Sequence, residues 1–193
     1  DRMIDLPRIL VIGGGEMGSA VAHRLRRVGF EVWIAEIDKP RCIRRLVCFG
    51  SACYQGSVGV EGIRGQVARD PDEAKEIARQ GDIPVVTADF RDLIEATGFE
   101  VIVDARMLKR RTDISKDLAP LVIGLGPGFV AGKDVDVVVE TNRGHDLGRV
   151  IYEGEAERHT GEPAPVLGYT HQRVLRAPAS GVFKAKVRIG DMV

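Results

Sequence analysis

A run of apolar residues that halts at three glycines and resumes as a helix sets the first constraint on this chain. "RILVI" (8–12) leads into "GGGEMG" (13–18), "SAVAHRLRRVG" (19–29) and "FEVWIAEID" (30–38). The outer runs are short, apolar and β-branched, as buried strands are, whereas the middle run repeats its apolar positions at helical spacing and meets Gly29 as its stop. Strand, turn, helix and strand in about thirty residues make a βαβ unit, so the two strands must lie parallel. Gly13, Gly15 and Gly18 place G-x-G-x-x-G at the strand-to-helix turn, the context in which that pattern predicts a dinucleotide-type ligand. The first glycine permits the tight turn, the second lets backbone N–H groups approach a pyrophosphate, and the third lets helix and strand pack closely; the helix N-terminus adds partial positive charge. Glu36 ends the second strand, with Asp38 as the neighbouring alternative, where a carboxylate accepts ribose hydroxyls and repels a 2′-phosphate, which favours NAD over NADP.

The alternation continues. "PDEAKEIARQG" reads as a helix with Asp70 or Asp72 near its start and Gly81 after its end, "IPVVTA" as a strand, "DFRDLIEATG" as a helix capped at Asp89, and "EVIVDAR" as a further buried strand. Residues 41–70 are less periodic and are expected to hold a short helix and one or two strands. "PLVIGL" and "VDVVVET" add two core strands. The expected fold is therefore α/β, a Rossmann-like, mostly parallel sheet flanked by helices over residues 1–147. Aromatic residues form only 5% of the chain, so the core should be aliphatic, as parallel sheets are. Lys+Arg and Asp+Glu balance at 28 each, which excludes the basic field of a nucleic-acid binder. No apolar run approaches the ~20 residues of a membrane helix and no signal-peptide pattern opens the chain, so a cytoplasmic protein without a membrane partner is expected.

A second glycine-rich loop, Gly124, Gly126 and Gly128 around Pro127, follows "PLVIGL" without an amphipathic helix behind it. Its backbone N–H groups could form an anion-binding nest or only a tight turn. "DARMLKRR" and "ETNRGHDLGR" surround it with Arg106, Lys109, Arg110, Arg111, Arg143 and Arg149, and guanidinium groups bind phosphate bidentately. Two glycine loops beside such cations suit a doubly phosphorylated guest. His145 is a candidate ligand-contacting group. No histidine pair has metal-ligand spacing, and Cys42, Cys48 and Cys53 match neither a CxxC knuckle nor a disulfide framework, so no metal site is expected. No Tyr-x-x-x-Lys pair accompanies the first unit, and no catalytic residue is assigned.

"APLVIGLGPGFVAGKDVDVVVETNRGHDLGRVIYEGEA", with "TGEPAPVLGYT" and "RVLRAPASGVF", resembles the accessory proteins encoded with selenium-dependent molybdenum hydroxylases. Their "GDLA"-type first loop and "AIRR" segment correspond to "GEMG" and "CIRR" here, with Glu16 standing where the family more often has aspartate. The resemblance implies maturation of a molybdenum enzyme: a phosphorylated cofactor of dinucleotide or pterin type as ligand and a molybdenum hydroxylase apoenzyme as partner. A molybdenum-pterin dinucleotide carries a pyrophosphate, so this ligand joins NAD as a candidate. Gly124, Gly126, Gly128, Glu140, Thr141, Arg143, Gly144 and His145 are the matched positions. An NAD-dependent oxidoreductase and an NAD-sensing regulatory module are the alternatives drawn from the first loop alone.

Residues 148–193 change character, with scattered glycines and prolines and then the period-two alternation of "RVLRAPASGVFKAKVRIGDMV". This stretch resembles half of a biotinyl or lipoyl-like barrel, with its remainder expected beyond this sequence. Open strand edges in such a half-barrel predict either poor order or pairing with another copy in a homo-oligomer.

Overall fold

In the computed structural model, residues 6–110, 113–163, 165–181 and 183–192 are described. "RILVI" forms β1 (Arg8–Ile12), the amphipathic run forms α1 (Glu16–Arg27), and "EVWIA" forms β2 (Glu31–Ala35). Residues 41–70 fold as two 3-10 turns, α2 (Ala52–Gln55) and the hairpin β3 (Ser57–Val60) and β4 (Ile63–Ala68). Next come α3 (Pro71–Arg79), β5 (Ile83–Val86), α4 (Phe90–Thr97) and β6 (Val101–Asp104). β7 (Leu121–Leu125), β8 (Val137–Val139) and β9 (Val150–Ile151) complete the sheet. Of Asp70 and Asp72 the cap is Asp70, which accepts the Glu73 N–H at 2.8 Å, and Asp89 caps the next helix as expected, accepting the Arg91 N–H at 2.8 Å.

The nine strands run in the order β3-β4-β5-β2-β1-β6-β7-β8-β9. The β3–β4 and β8–β9 pairs are antiparallel and the other six pairs are parallel, which makes this a Rossmann-like α/β sheet with antiparallel edges. Alternate residues of the central strands feed two cores. Leu10, Trp33, Ile102 and Val122 pack with Ile77 and Leu93 of α3 and α4 on one face. Val11, Ile34, Val85 and Val103 pack with Ala22 of α1 and with Phe49 on the other. A parallel sheet covered on both faces needs such all-apolar strands. From β1 the chain first proceeds outward to β2 and later returns to place β6 on the opposite side of β1. That reversal is the switch point at which open α/β sheets form a crevice beyond the strands' C-terminal ends.

Two features differ from the reading of the sequence. The compact unit that holds the sheet extends to Arg158, with His159–Val193 as a second unit, so the boundary lies past residue 147. The reason is β9: Ile151 and Val150 pair with Val138 and Val139, and the Glu157 N–H reaches back to Glu140 at 2.7 Å. The half-barrel is not formed among the described residues of the second unit. They hold a Val166–Tyr169 bridge and a 3-10 turn at His171–Arg173 but no strand. Leu175, Phe183 and Met192 of the alternating stretch are exposed, with no opposing apolar layer to bury them.

Candidate functional site

The crevice at the switch point is built from the first glycine loop outward. Gly13 leaves β1 with φ +100°, a left-handed backbone that disfavours any side chain, and its N–H donates to Ala35 O at 2.8 Å. A Cβ on Gly18 would collide with Gly13 O, so this glycine is required for helix–strand packing. Gly15 differs: its φ is −71° and a Cβ there would meet nothing within 4 Å. Its hydrogen is turned to open space at the N-terminus of α1, where backbone donors and the helix dipole favour an anion. Glu36 lies beside the loop. Its Oε2 accepts the Gly14 N–H at 2.6 Å and its Oε1 accepts the Ile37 N–H at 2.8 Å. Each oxygen retains a further lone pair for a ribose hydroxyl.

Two cavities open here, of about 390 and 250 Å³, and share Gly13, Glu36, Ile37 and Arg106 in their walls. The larger runs past Gly15, Met17, Arg41 and Cys42 to Met107 and Leu108. The smaller reaches a shelf behind β5 formed by Ala88, Asp89 and the largely buried Phe90. Sequence reading missed this shelf, although Asp89 and Phe90 follow a parallel strand at its C-terminal end, and that position alone marks crevice residues. It also missed Arg41, which lies in the crevice wall and is exposed.

Arg106 is in the crevice but does not stand as a bare cation. Its Nε and Nη2 donate to the fully buried Asp104 at 3.0 and 2.6 Å, and Nη2 also meets Asp113 at 2.9 Å. Burial opposes its charge, yet those carboxylates hold its pKa above the ordinary arginine value. Asp113 is held below the ordinary aspartate value: its partial burial works against this, but Arg91 and Arg106 outweigh it. The guanidinium groups of Arg91 and Arg106 both stack on Phe90, at 4.6 and 5.1 Å. Arg106 therefore helps build the crevice wall, its charge balanced by two carboxylates.

The second glycine loop does not join the first. A Cβ on Gly124 would meet the Phe129 ring at 2.5 Å, one on Gly126 would collide with Thr141 Oγ1, and one on Gly128 would lie 2.5 Å from Arg110 O. The Gly126 N–H donates to Val139 O at 2.8 Å. These glycines accommodate the protein's own groups in a tight turn, and neither crevice cavity includes them in its wall. Glu140 is 3% exposed, and its carboxylate accepts the N–H groups of Thr141, Asn142 and Glu157 at 2.8, 2.7 and 2.7 Å. Burial works against its ionisation, but the three amides hold its pKa below the usual glutamate value. It ties the loop after β8 to the segment after β9. Arg143 and His145 are exposed on that loop, outside both cavity walls. Among the described residues the expected cations are thus not brought around one guest, and Arg111 lies outside the described residues.

Cys48 is fully buried and Cys42 lies 3.8 Å from Gly14 O. Burial, with nearby carboxylates adding to it, pushes the Cys48 and Cys53 thiols up to about 12, which keeps them protonated at neutral pH. Among the described residues, no group of three or more His, Cys, Asp or Glu side chains is placed to hold a metal ion, and no helix is long and apolar enough to cross a membrane.

Comparison with known proteins adds one relative and no function. The chain is 42% identical, over 185 residues and 96% of its length, to the "uncharacterized protein YqeB" of Escherichia coli (strain K12). It covers 34% of that protein, so it spans about a third of the length of the curated relative it matches. No family model and no solved structure matches it.

Proposed function

We propose that this chain is a nucleotide-binding accessory module in the maturation of a selenium-dependent molybdenum hydroxylase, holding a phosphorylated cofactor at the β1/β6 switch point. The observation that carries the ligand half of this reading is Gly15, whose missing side chain leaves the N-terminus of α1 open beside the Glu36 carboxylate. In this reading phosphate lies at the helix end, ribose at Glu36, and the ring system extends into the smaller cavity. The maturation half rests on the likeness of Leu121 to Glu155 to the accessory family. In its dinucleotide form the molybdenum cofactor would supply pterin-bound metal chemistry, while this chain's residues bind and orient the nucleotide. An NAD-sensing module would use the same crevice. An NAD-dependent dehydrogenase would use it too, with Glu16, Cys42 and Asp89 among the titratable groups of the crevice walls.

The test is recovery of the guest. Protein purified from its native host is heat-denatured and the supernatant examined by mass spectrometry for nucleotides and pterin phosphates. A stoichiometric nucleotide-containing compound is expected. Its absence, together with no thermal shift in millimolar nucleotide, where a guest at 100 times its Kd stabilises by about 2.7 kcal/mol, would sink the ligand reading.

A further inference from the structure

The crevice is open on one side of the switch point and closed on the other. Its walls come from the ends of β1, β2, β5 and β6 and the segments that follow them. Nothing from the ends of β7 or β8 contributes, although in a doubly wound sheet the second half of a dinucleotide lies over those strands. There the backbone is filled by the protein itself: the Phe129 ring covers Gly124, Thr141 Oγ1 covers Gly126, and the Gly126 N–H is engaged by Val139 O at 2.8 Å. Met107 stands between the halves. It lines the open cavity, and its Cε is 3.4 Å from where a Cβ on Gly126 would be.

From this asymmetry we infer that the crevice grips a single nucleoside diphosphate unit and leaves whatever is esterified to its terminal phosphate outside. This rests on the nucleotide reading above and narrows it to a ligand class. The diphosphate lies at Gly15 and the α1 N-terminus, and the ribose hydroxyls at Glu36. The attached group departs through the mouth between Met17, Arg41 and Leu108, which are exposed on the cavity wall. Bound this way, a cofactor's reactive end is presented to another protein rather than buried in this one.

Calorimetry on the full chain tests it with matched pairs: ADP against NAD+, CDP against CDP-choline, and GDP against GDP-mannose. Within whichever pair binds, the two dissociation constants should agree within about fivefold, because the attached group contributes no contacts. A larger difference in either direction overturns the inference while leaving the nucleotide crevice standing. If no member of any pair binds at millimolar concentration, the inference falls together with the crevice reading. A difference confined to Thr141→Ala protein, in which the dinucleotide alone gains affinity, would support the plug that keeps the second half shut.

Discussion

Gly15 and Gly18 are three residues apart in one loop, yet a methyl group added to each meets opposite surroundings. At Gly15 it enters the crevice with an ordinary negative φ. Gly15→Ala should therefore leave the denaturant midpoint within ~1 kcal/mol of the parent, or raise it slightly, while nucleotide affinity in calorimetry falls at least about tenfold. At Gly18 the methyl meets Gly13 O, so Gly18→Ala should cost about 1–3 kcal/mol whether or not ligand is present. Equal stability losses in the two variants would show that Gly15 is structural. Glu140 supplies a pH test. Glu140→Gln sets an amide nitrogen against a backbone donor and should cost about 1–3 kcal/mol at neutral pH. Because the folded pKa lies below the unfolded value of about 4.3, the ionised group's contribution is fully present above that value and is lost as pH falls through the folded pKa. Urea midpoints should accordingly show the gap between parent and variant narrowing below about pH 4.3; a gap unchanged on acidification would remove the three-amide explanation.

Elements set by local chemistry were legible from the residues alone. β1, α1 and β2 follow from apolar runs broken by glycine, and the caps at Asp70 and Asp89 are side chains able to accept the first free helix N–H groups. What was not legible depends on contacts distant in sequence. Gly124 and Gly126 have the same composition signature whether their missing side chains admit a phosphate or, as here, Phe129 and Thr141. β9 is two residues long and exists only because β8 lies beside it, which is why residues 148–158 read as irregular. Residues 41–51 are the clearest case, since Phe49 is fully buried against Gly65 and the Gly50 N–H donates to Gly14 O at 2.9 Å. That segment braces the glycine loop from behind, through the Phe49 N–H to Ser19 Oγ contact at 2.8 Å as well. Phe49→Ala should lower stability by about 3–5 kcal/mol, read from denaturant midpoints. A loss under ~1 kcal/mol would mean the segment lies over the core without being part of it.

At the scale of the molecule, the sheet and every wall of the crevice belong to the unit ending at Arg158, and the edge is closed by β9 and the Glu157–Glu140 bond. Strand order decides where a ligand can sit, because only at the β1/β6 reversal do two connections leave in opposite directions and part to form a crevice. The second unit adds no strand among its described residues. A chain of residues 1–158 should therefore fold cooperatively, keep its denaturant midpoint within ~1 kcal/mol of the full chain, and bind a nucleoside diphosphate with an affinity unchanged within about threefold. Residues 1–150 should do neither well, because that cut severs β9 and leaves Glu140 without its Glu157 donor. The comparison is read by urea titration and calorimetry on the same preparations. If the shorter piece matched the longer one, the sheet would have to end at β8, and the edge closure argued from Glu140 would be incidental to the fold.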